Sequence, residues 1–282
     1  MIQPTIANRD VTMHILRSFN IHMSKRLGQN FLIDEGIVQG IVDAVGIEPG
    51  DLVLEIGPGI GTLTQGLAEA QAQVTAVELD RKLPAVLAKT LEGYDNVRVI
   101  QGDILKTDIP ALMGVGPYKV AANLPYYITT PIIMALLEQR LPISRLVTMV
   151  QKEVAERMVA SPGTKDYGAL SVAVQYYTKP CIVLDVPPRS FIPAPEVDSV
   201  VIRCEVRKEP PVKAIDEKMF FRVVKAAFSQ RRKTLNNALK TMGVEKDTVK
   251  QVLESAHIDG IRRGETLSLE EFAAIANVIS RK

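Results

Sequence analysis

A parallel, doubly wound α/β sheet followed by a helical C-terminal domain is the fold class that the 282-residue sequence predicts. Three observations carry it. Short apolar runs alternate with segments of helical period five times over the first 160 residues. Strand-like pieces then follow with little between them, which suggests an antiparallel addition to the sheet. After Pro210-Pro211 the pattern is helical throughout. Composition agrees with a folded chain, at 46% apolar and 23% charged residues. The length suits one large domain with a smaller companion.

The elements read as follows. Residues 37–47 carry apolar side chains at helical spacing, closed by Gly46 and the turn Pro49-Gly50-Asp51. Leu52–Ile56 is a buried strand that runs into Gly57-Pro58-Gly59-Ile60-Gly61, and Thr62–Ala70 is a helix. Val74–Val77 is the second strand, ending on Glu78, and a helix follows over Leu83–Leu91. Val97–Ile100 ends at Gly102-Asp103, and Tyr118–Ala122 ends at Asn123-Leu124-Pro125-Tyr126. Pro131 opens a helix to about Gln139, since proline is tolerated in a first turn. Leu146–Val150 is the fifth strand, and residues 153–160 look helical. Ser171–Tyr177, Cys181–Val186 and Val200–Val206 are β-rich. In the tail Phe221, Val224, Phe228, Leu235, Leu239 and Met242 fit one apolar helix face. The expected division is an arm over 1–26, a sheet domain over 27–208 and a helical domain over 209–282.

Net charge is only +2, but it is unevenly spread: +3 over residues 1–26, −7 over 27–206 and +6 over 207–282. Lys218–Met242 holds seven basic residues and no acid. An acidic body with a basic tail points to a nucleic-acid partner, although a solvated helix face gives the same count. Arg222, Lys225, Arg231, Arg232 and Lys233 are the candidate phosphate contacts. No apolar run reaches the ~18 residues of a membrane span, and the start has no basic-then-apolar signal pattern, so a cytoplasmic protein is expected. Cys181 and Cys204 lack metal-type spacing and read as small buried hydrophobes. Three scattered histidines, His14, His22 and His257, argue against a metal centre or a histidine-based triad.

A glycine turn between first strand and helix lets a ligand approach the backbone. Glu78, at the end of the next strand, is placed to accept from two ribose hydroxyls, and Asp103 from an adenine amine. Enzymes of NAD and of S-adenosylmethionine share this layout. Here the spacing is G-x-G-x-G with Thr62 where the dinucleotide fingerprint needs glycine. Glu55 adds a negative charge that suits a sulfonium ligand carrying an ammonium and repels a pyrophosphate.

Asn123-Leu124-Pro125-Tyr126 lies at the carboxyl end of a strand, the ligand edge of such a sheet. A purine amine is a poor nucleophile because its lone pair is delocalised into the ring. Two acceptors aimed at its N–H groups, the Asn123 side-chain oxygen and the Leu124 carbonyl, would free that lone pair. Pro125 fixes the carbonyl's direction, and Tyr126 offers a ring for the base to stack on. Phe191, in a proline-stiffened loop, is a candidate for the opposing wall, or else a core residue beside a braced connection.

These stretches resemble the small-subunit ribosomal RNA adenine dimethyltransferases, the kasugamycin-sensitivity methyltransferase family. The resemblance rests on Lys25–Asp34, Glu55–Thr64, Glu78–Asp80, Gly102-Asp103, Asn123–Pro131, Phe191–Ser199, Phe228–Leu235 and Arg263–Ser268, and covers the chain from about residue 23. It implies a class I, Rossmann-like methyltransferase with a mostly parallel seven-stranded sheet, an antiparallel edge and a small all-α C-terminal domain. It implies S-adenosyl-L-methionine as cofactor, with Asn30 and Leu32 touching it from the N-terminal arm. Gly57 would line its methionine part, Glu78 its ribose and Asp103 its adenine, with Gly59 also among the cofactor-binding residues. Asn123 would meet both donor and target amine, while Tyr126 and Phe191 sandwich the target adenine. The implied substrate is 16S rRNA in an immature 30S subunit, dimethylated at two adjacent adenosines of a terminal hairpin loop. A monomer without metal or membrane attachment is expected.

Three rivals remain open at this point. Macrolide-resistance dimethyltransferases modify 23S rRNA on the same scaffold but usually read Asn-Ile-Pro-Tyr. An NAD-dependent oxidoreductase is disfavoured by Thr62 and by the acid pair Glu55 and Glu78. A non-catalytic assembly factor is disfavoured by the intact Asn123–Tyr126 turn.

Overall fold

The computed structural model describes residues 4–21 and 30–281. Lys25–Gln29 of the expected N-terminal motif, and His22, lie outside these residues. α1 (Arg9–Ser18) starts at Asn8, whose side chain accepts from the Asp10 and Val11 N–H groups. After β1 (Phe31–Leu32), Asp34 caps α2 (Glu35–Val45), which Gly46 closes at φ 62°. The alternating part is β2 (Leu52–Ile56), α3 (Thr62–Glu69), β3 (Gln73–Glu78), α4 (Leu83–Thr90), β4 (Val97–Gln101), α5 (Ile109–Met113), β5 (Tyr118–Asn123), α6 (Tyr126–Glu138), β6 (Ile143–Gln151) and α7 (Lys152–Val159). Then come α8 (Ala169–Tyr177), β7 (Thr178–Val186), β8 (Phe191–Ile192) and β9 (Ser199–Val206). The tail forms α9 (Glu217–Phe228), α10 (Leu235–Ala238), α11 (Lys246–Ser255) and α12 (Leu269–Ser280).

The main sheet has seven strands in the order β4-β3-β2-β5-β6-β9-β7. β4 through β6 run parallel and β9 is antiparallel to β6, the mostly parallel Rossmann-like sheet that the alternation predicts. Register fixes the ligand edge. Ile56 is level with Val77 and with Ala122, and Glu78 is level with Gln101. The chain segments at Gly57, Glu78, Gly102 and Asn123 therefore leave the sheet in one row.

By contact the chain forms two units: residues up to Ala155 with Cys181–Val206, and Glu156–Pro180 with the residues from Arg207 onward. The sequence reading draws its boundary near 208 and leaves 156–180 with the sheet; in the structure that segment is grouped with the helical tail. In the sheet unit Val53, Val74, Ala121 and Val147 bury beneath Ile41, Val45, Leu63 and Leu67. Gly66 allows α3 to approach α2, since a Cβ there would stand 2.7 Å from Val38 Cγ1. Residues 4–21 belong to this unit's core. Ile6, Ile15 and Leu16 bury against Phe31, Ile60, Leu83, Leu87 and Leu91. Gln65, 4% exposed, holds the segment: its Oε1 accepts from Ile6 N–H at 2.8 Å and its Nε2 donates to the Pro4 carbonyl at 3.3 Å.

In the helical unit, Tyr176, Tyr177, Phe220, Phe221, Phe228 and Phe272 form a ring cluster with centroids 4.8–6.5 Å apart. Edge-to-face and offset pairs of this kind add to the burial of apolar area. Glu217 accepts from the Tyr176 and Tyr177 hydroxyls at 3.2 and 2.8 Å. Gly264 sits against Ala227, where a Cβ would lie 2.8 Å from the carbonyl oxygen. That close approach accounts for the glycine of the Arg263–Ser268 stretch. Among the described residues, no helix is long and apolar enough to cross a membrane.

Four expectations are corrected. Ser171–Tyr177 is helical, within α8. Its period-2 pattern is overridden by polar ties: Ser171 Oγ accepts from Gly168 N–H at 3.0 Å, and the Gln175 amide donates to the Met158 and Ala160 carbonyls at 3.0 and 2.8 Å. α6 begins at Tyr126, not at Pro131. The Pro125 carbonyl accepts from Ile128 N–H and Thr129 Oγ1, which starts the helix early and leaves Pro131 inside it. Phe221–Met242 is not one helix, because α9 stops at Phe228 and Leu235 N–H turns to the Arg262 carbonyl at 2.8 Å. Cys204 is buried as expected, whereas Cys181, on strand β7 at the sheet's edge, is exposed.

Gln65→Ala leaves the Ile6 N–H and the Pro4 carbonyl without this partner. Pro4 is exposed, so the cost falls on the buried Ile6 N–H, at roughly 1–3 kcal/mol for an unsatisfied buried group. The variant is expected to melt lower in a thermal scan and to lose residues up to about 21 first in limited proteolysis, while the rest of the sheet unit resists.

Candidate active site

A cavity of about 240 Å³ opens at the carboxyl ends of β2, β3, β4 and β5, inside the sheet unit. Ligands of open parallel sheets bind at this edge. Its floor is the β2–α3 turn, where Gly57, Gly59 and Gly61 take φ values of 69°, 62° and 97°. These left-handed conformations favour glycine. Gly57 and Gly59 line the cavity. Gly61 instead faces Leu91 and Thr90, so its role is packing.

Glu78, 5% exposed, is tied to that turn. Its Oε2 accepts from Gly59 N–H at 3.1 Å and its Oε1 from Asp80 N–H at 2.7 Å. Burial raises its pKa, and the two N–H groups oppose the rise. Asp103 Oδ1 accepts from Leu105 N–H at 3.1 Å, and the Lys106 ammonium stands 3.6 Å from Oδ2. Glu55 is 1% exposed and its Oε2 has no hydrogen-bond partner among the described residues. Burial pushes its carboxyl up to about 8, the nearby Thr64 hydroxyl opposes this, and the charge of Glu78 adds to it.

Glu55, Glu78, Asp80 and Asp103 all line the cavity, and no lysine, arginine or histidine joins them among the described lining residues. A cleft of one sign in a low-dielectric wall attracts the opposite charge. It suits a cation better than a pyrophosphate, which counts against the dinucleotide reading. No cluster of three or more metal-ligating side chains occurs among the described residues.

The β5–α6 junction supplies the other wall. Asn123, Leu124, Pro125 and Tyr126 line the same cavity. Asn123 is half-buried, and its amide meets no hydrogen-bond partner among the described residues. The Tyr126 hydroxyl lies 2.6 Å from Ser199 Oγ, which fixes the ring. Phe191, 3% exposed on β8, also lines the cavity, as do Asn30 and Leu32. β8 pairs antiparallel with β1, so Leu32 stands opposite Phe191.

The structure thus brings together Asn30, Leu32, Gly57, Gly59, Glu78, Asp103, Asn123, Leu124, Pro125, Tyr126 and Phe191. Sequence reasoning missed the apolar walls Phe31, Ile60, Leu79, Ile104, Leu105 and Ile132. Leu79 and Leu105 carried a usable signal, as exposed apolar residues just after strand-end acids. The five basic candidates belong to the helical unit. Arg222 and Lys225 are exposed on α9, and Arg232 and Lys233 in the turn after it. Arg231 is partly spent internally, donating to the Lys165 carbonyl and standing 3.6 Å from Glu265.

The family model for ribosomal RNA adenine dimethylases matches residues 20–275. The chain belongs to the ribosomal RNA adenine dimethylase family. It is 51% identical over 283 residues to a ribosomal RNA small subunit methyltransferase A from Alkaliphilus metalliredigens, covering 98% of this chain and 99% of the relative. A protein of the same name from Moorella thermoacetica is 52% identical over 284 residues, with 98% and 99% covered. The crystal structure of a dimethyladenosine transferase from Plasmodium falciparum aligns with a TM-score of 0.75 at 30% identity, over 87% of this chain and 95% of that one. The 23S rRNA methyltransferase ErmE aligns at 0.68 and 28% identity, over 89% and 100%. As a ribosomal RNA adenine dimethylase the chain is a methyltransferase whose donor is S-adenosylmethionine. The residues fit that donor: Glu78 and Asp103 would supply acceptors to its ribose and adenine, and Glu55 an acid whose ionised form a cationic ligand favours.

Glu55 gives a pH signature. It stays protonated in the folded chain up to about 8 and ionises from its ordinary 4.5 once unfolded. The folded state therefore binds the extra proton between these values, and stability falls as pH rises through that window. Glu55→Gln is expected to melt like the parent near pH 4 and above it beyond pH 8. Donor affinity runs the other way, because a cation favours the ionised carboxylate. Calorimetric titration should find binding that tightens toward pH 8 in the parent and stays flat in the variant.

Proposed function

We propose that the chain dimethylates N6 of two adjacent adenosines in the terminal hairpin loop of 16S rRNA, within an immature 30S particle. The observation that supports this most is the Asn123–Tyr126 turn, which shares one cavity with Glu78 and Phe191. When bound, S-adenosylmethionine supplies a methyl group on a cationic sulfur. The protein's part is to hold the amine. Asn123 Oδ1 and the Leu124 carbonyl accept its two N–H groups and shift the nitrogen toward tetrahedral geometry. Pro125 fixes that carbonyl, and Tyr126, braced by Ser199, stacks on the adenine against Phe191. Stacking of this kind is worth roughly 1–3 kcal/mol per base. No strong base is required, since the nitrogen becomes acidic as it is alkylated. After one transfer the amine keeps one N–H, and a single acceptor still orients it. The gain is mainly that of positioning within a closed pocket.

A small-subunit target is favoured over a 23S one by the nearly full-length likeness to small-subunit enzymes, against 28% identity to ErmE. Methylation of immature 30S particles and of naked 23S rRNA, compared side by side, separates the two. On this reading the sheet domain carries the chemistry, and the helical tail holds the particle through Arg222, Lys225, Arg232 and Lys233. The enzyme works as a cytoplasmic monomer, where small subunits assemble.

Asn123→Ala is expected to lower methyl transfer by about 10²–10³, the usual loss of one transition-state contact. Particle binding should stay within about twofold. Mass spectrometry of 16S rRNA fragments and filter binding measure the two, and an equal loss in both would count against the role given to Asn123. Particle affinity should also fall steeply with salt. Replacing Arg232 and Lys233 by alanine is expected to reduce the log–log salt slope by about 2. Arg231→Ala should act more on the melting temperature than on that slope.

A further inference from the structure

A second, two-stranded sheet stands apart from the main one. It pairs β1 with β8, Phe31 opposite Ile192 and Leu32 opposite Phe191. Two further bonds prolong it. Ile33 N–H donates to the Ser190 carbonyl at 2.9 Å, and Ser190 Oγ donates to Asp34 Oδ2 at 2.8 Å, across 156 residues of chain. Ser190 is 1% exposed, so this hydroxyl bond is shielded from water. Asp34 is anchored in turn, because its Oδ1 accepts from Ile37 N–H at 3.3 Å and caps α2. The clasp therefore links the start of α2, the strand carrying Leu32, which Asn30 immediately precedes, and the strand carrying Phe191.

Neither Asp34 nor Ser190 lines the cavity, whereas Leu32 and Phe191 both do. A paired strand cannot shift without its partner, because the ladder and the facing side chains fix their relative position. We infer that Asp34 and Ser190 are positioning residues that couple the donor subsite to the target-base subsite: filling the donor end fixes β1, and through the clasp sets Phe191 against Tyr126 for the incoming adenine. The inference rests on the assignment of Asn30 and Leu32 to the donor and of Phe191 to the base. Coupling of this kind is reciprocal, so the RNA must tighten the donor by the same factor.

The test uses the full chain, immature 30S particles and a non-reacting donor analogue with an amine in place of the methylated sulfur. In the parent, particle affinity should rise about tenfold when the analogue saturates the cavity. In Ser190→Ala the gain should fall to about twofold or less, while the affinity for either ligand alone changes by less than about threefold. Ile33→Pro, which removes the backbone bond to Ser190 without touching either side chain, should reproduce that loss. A role limited to stability would lower the melting temperature and leave the gain intact. A parent chain whose particle affinity ignores the analogue, or a Ser190→Ala protein that keeps the full gain, overturns the inference. Asn30→Ala and Phe191→Ala, measured against each ligand singly, test the underlying assignment. If Asn30→Ala weakens only the analogue and Phe191→Ala only the particle, the subsites stand and a missing gain refutes the coupling alone. If neither variant weakens its ligand, the subsite assignment falls and the coupling with it.

Discussion

One row of backbone pairings carries the chemistry of this chain. Because Ile56, Val77 and Ala122 are level across three parallel strands, the glycine turn, the Glu78 carboxylate and the Asn123 amide emerge side by side. A slip of one residue in any of these strands would exchange the faces of every side chain along it. The apolar residues beneath, Val53, Val74 and Ala121 among them, enforce the register by needing to be buried together. The geometry of the site is thus a consequence of core packing some distance below it.

The second constraint is electrostatic. Two carboxyl groups, Glu55 and Glu78, are buried close together, and burial raises the pKa of both. Glu78 is partly compensated by backbone N–H donors, whereas one oxygen of Glu55 has no partner among the described residues. The empty chain relieves this by keeping Glu55 protonated, and a positive ligand favours the ionised form. A sulfonium donor has the charge that the cavity lacks, and its transfer of a methyl group removes that charge.

The helical unit solves a different problem. It keeps a strongly basic surface while retaining a core, and does so with rings: Tyr176, Phe220 and Phe272 bury large apolar areas from few residues. Acids are drawn inward to satisfy specific donors, as Glu217 does for two tyrosine hydroxyls and Glu271 for Arg262 and the start of α12. Arg222, Lys225, Arg232 and Lys233 are left facing solvent.

Much of the sheet was legible in the sequence, as was the set of strand-end residues that line one cavity, because both rest on local signals. A strand that ends on an acid, a turn that needs left-handed φ and a proline that fixes a carbonyl are each written in a few neighbouring residues. The helix at Ser171–Tyr177 was not legible, since its alternation of side chains reads as a strand until Gln175 and Ser171 find their distant carbonyls. Nor was the early start of α6, which depends on the carbonyl of Pro125 capturing donors three and four residues on. The packing of residues 4–21 on Gln65, the inward turn of Arg231 and the pairing of β1 with β8 also lay beyond it. The sequence by itself determined the family and the strand-end motifs, because these are written in residue type and short spacing. Only the tertiary structure decided how the walls of the cavity are held together, because the bonds that do so join residues far apart in the chain and become specific only once the backbone is folded.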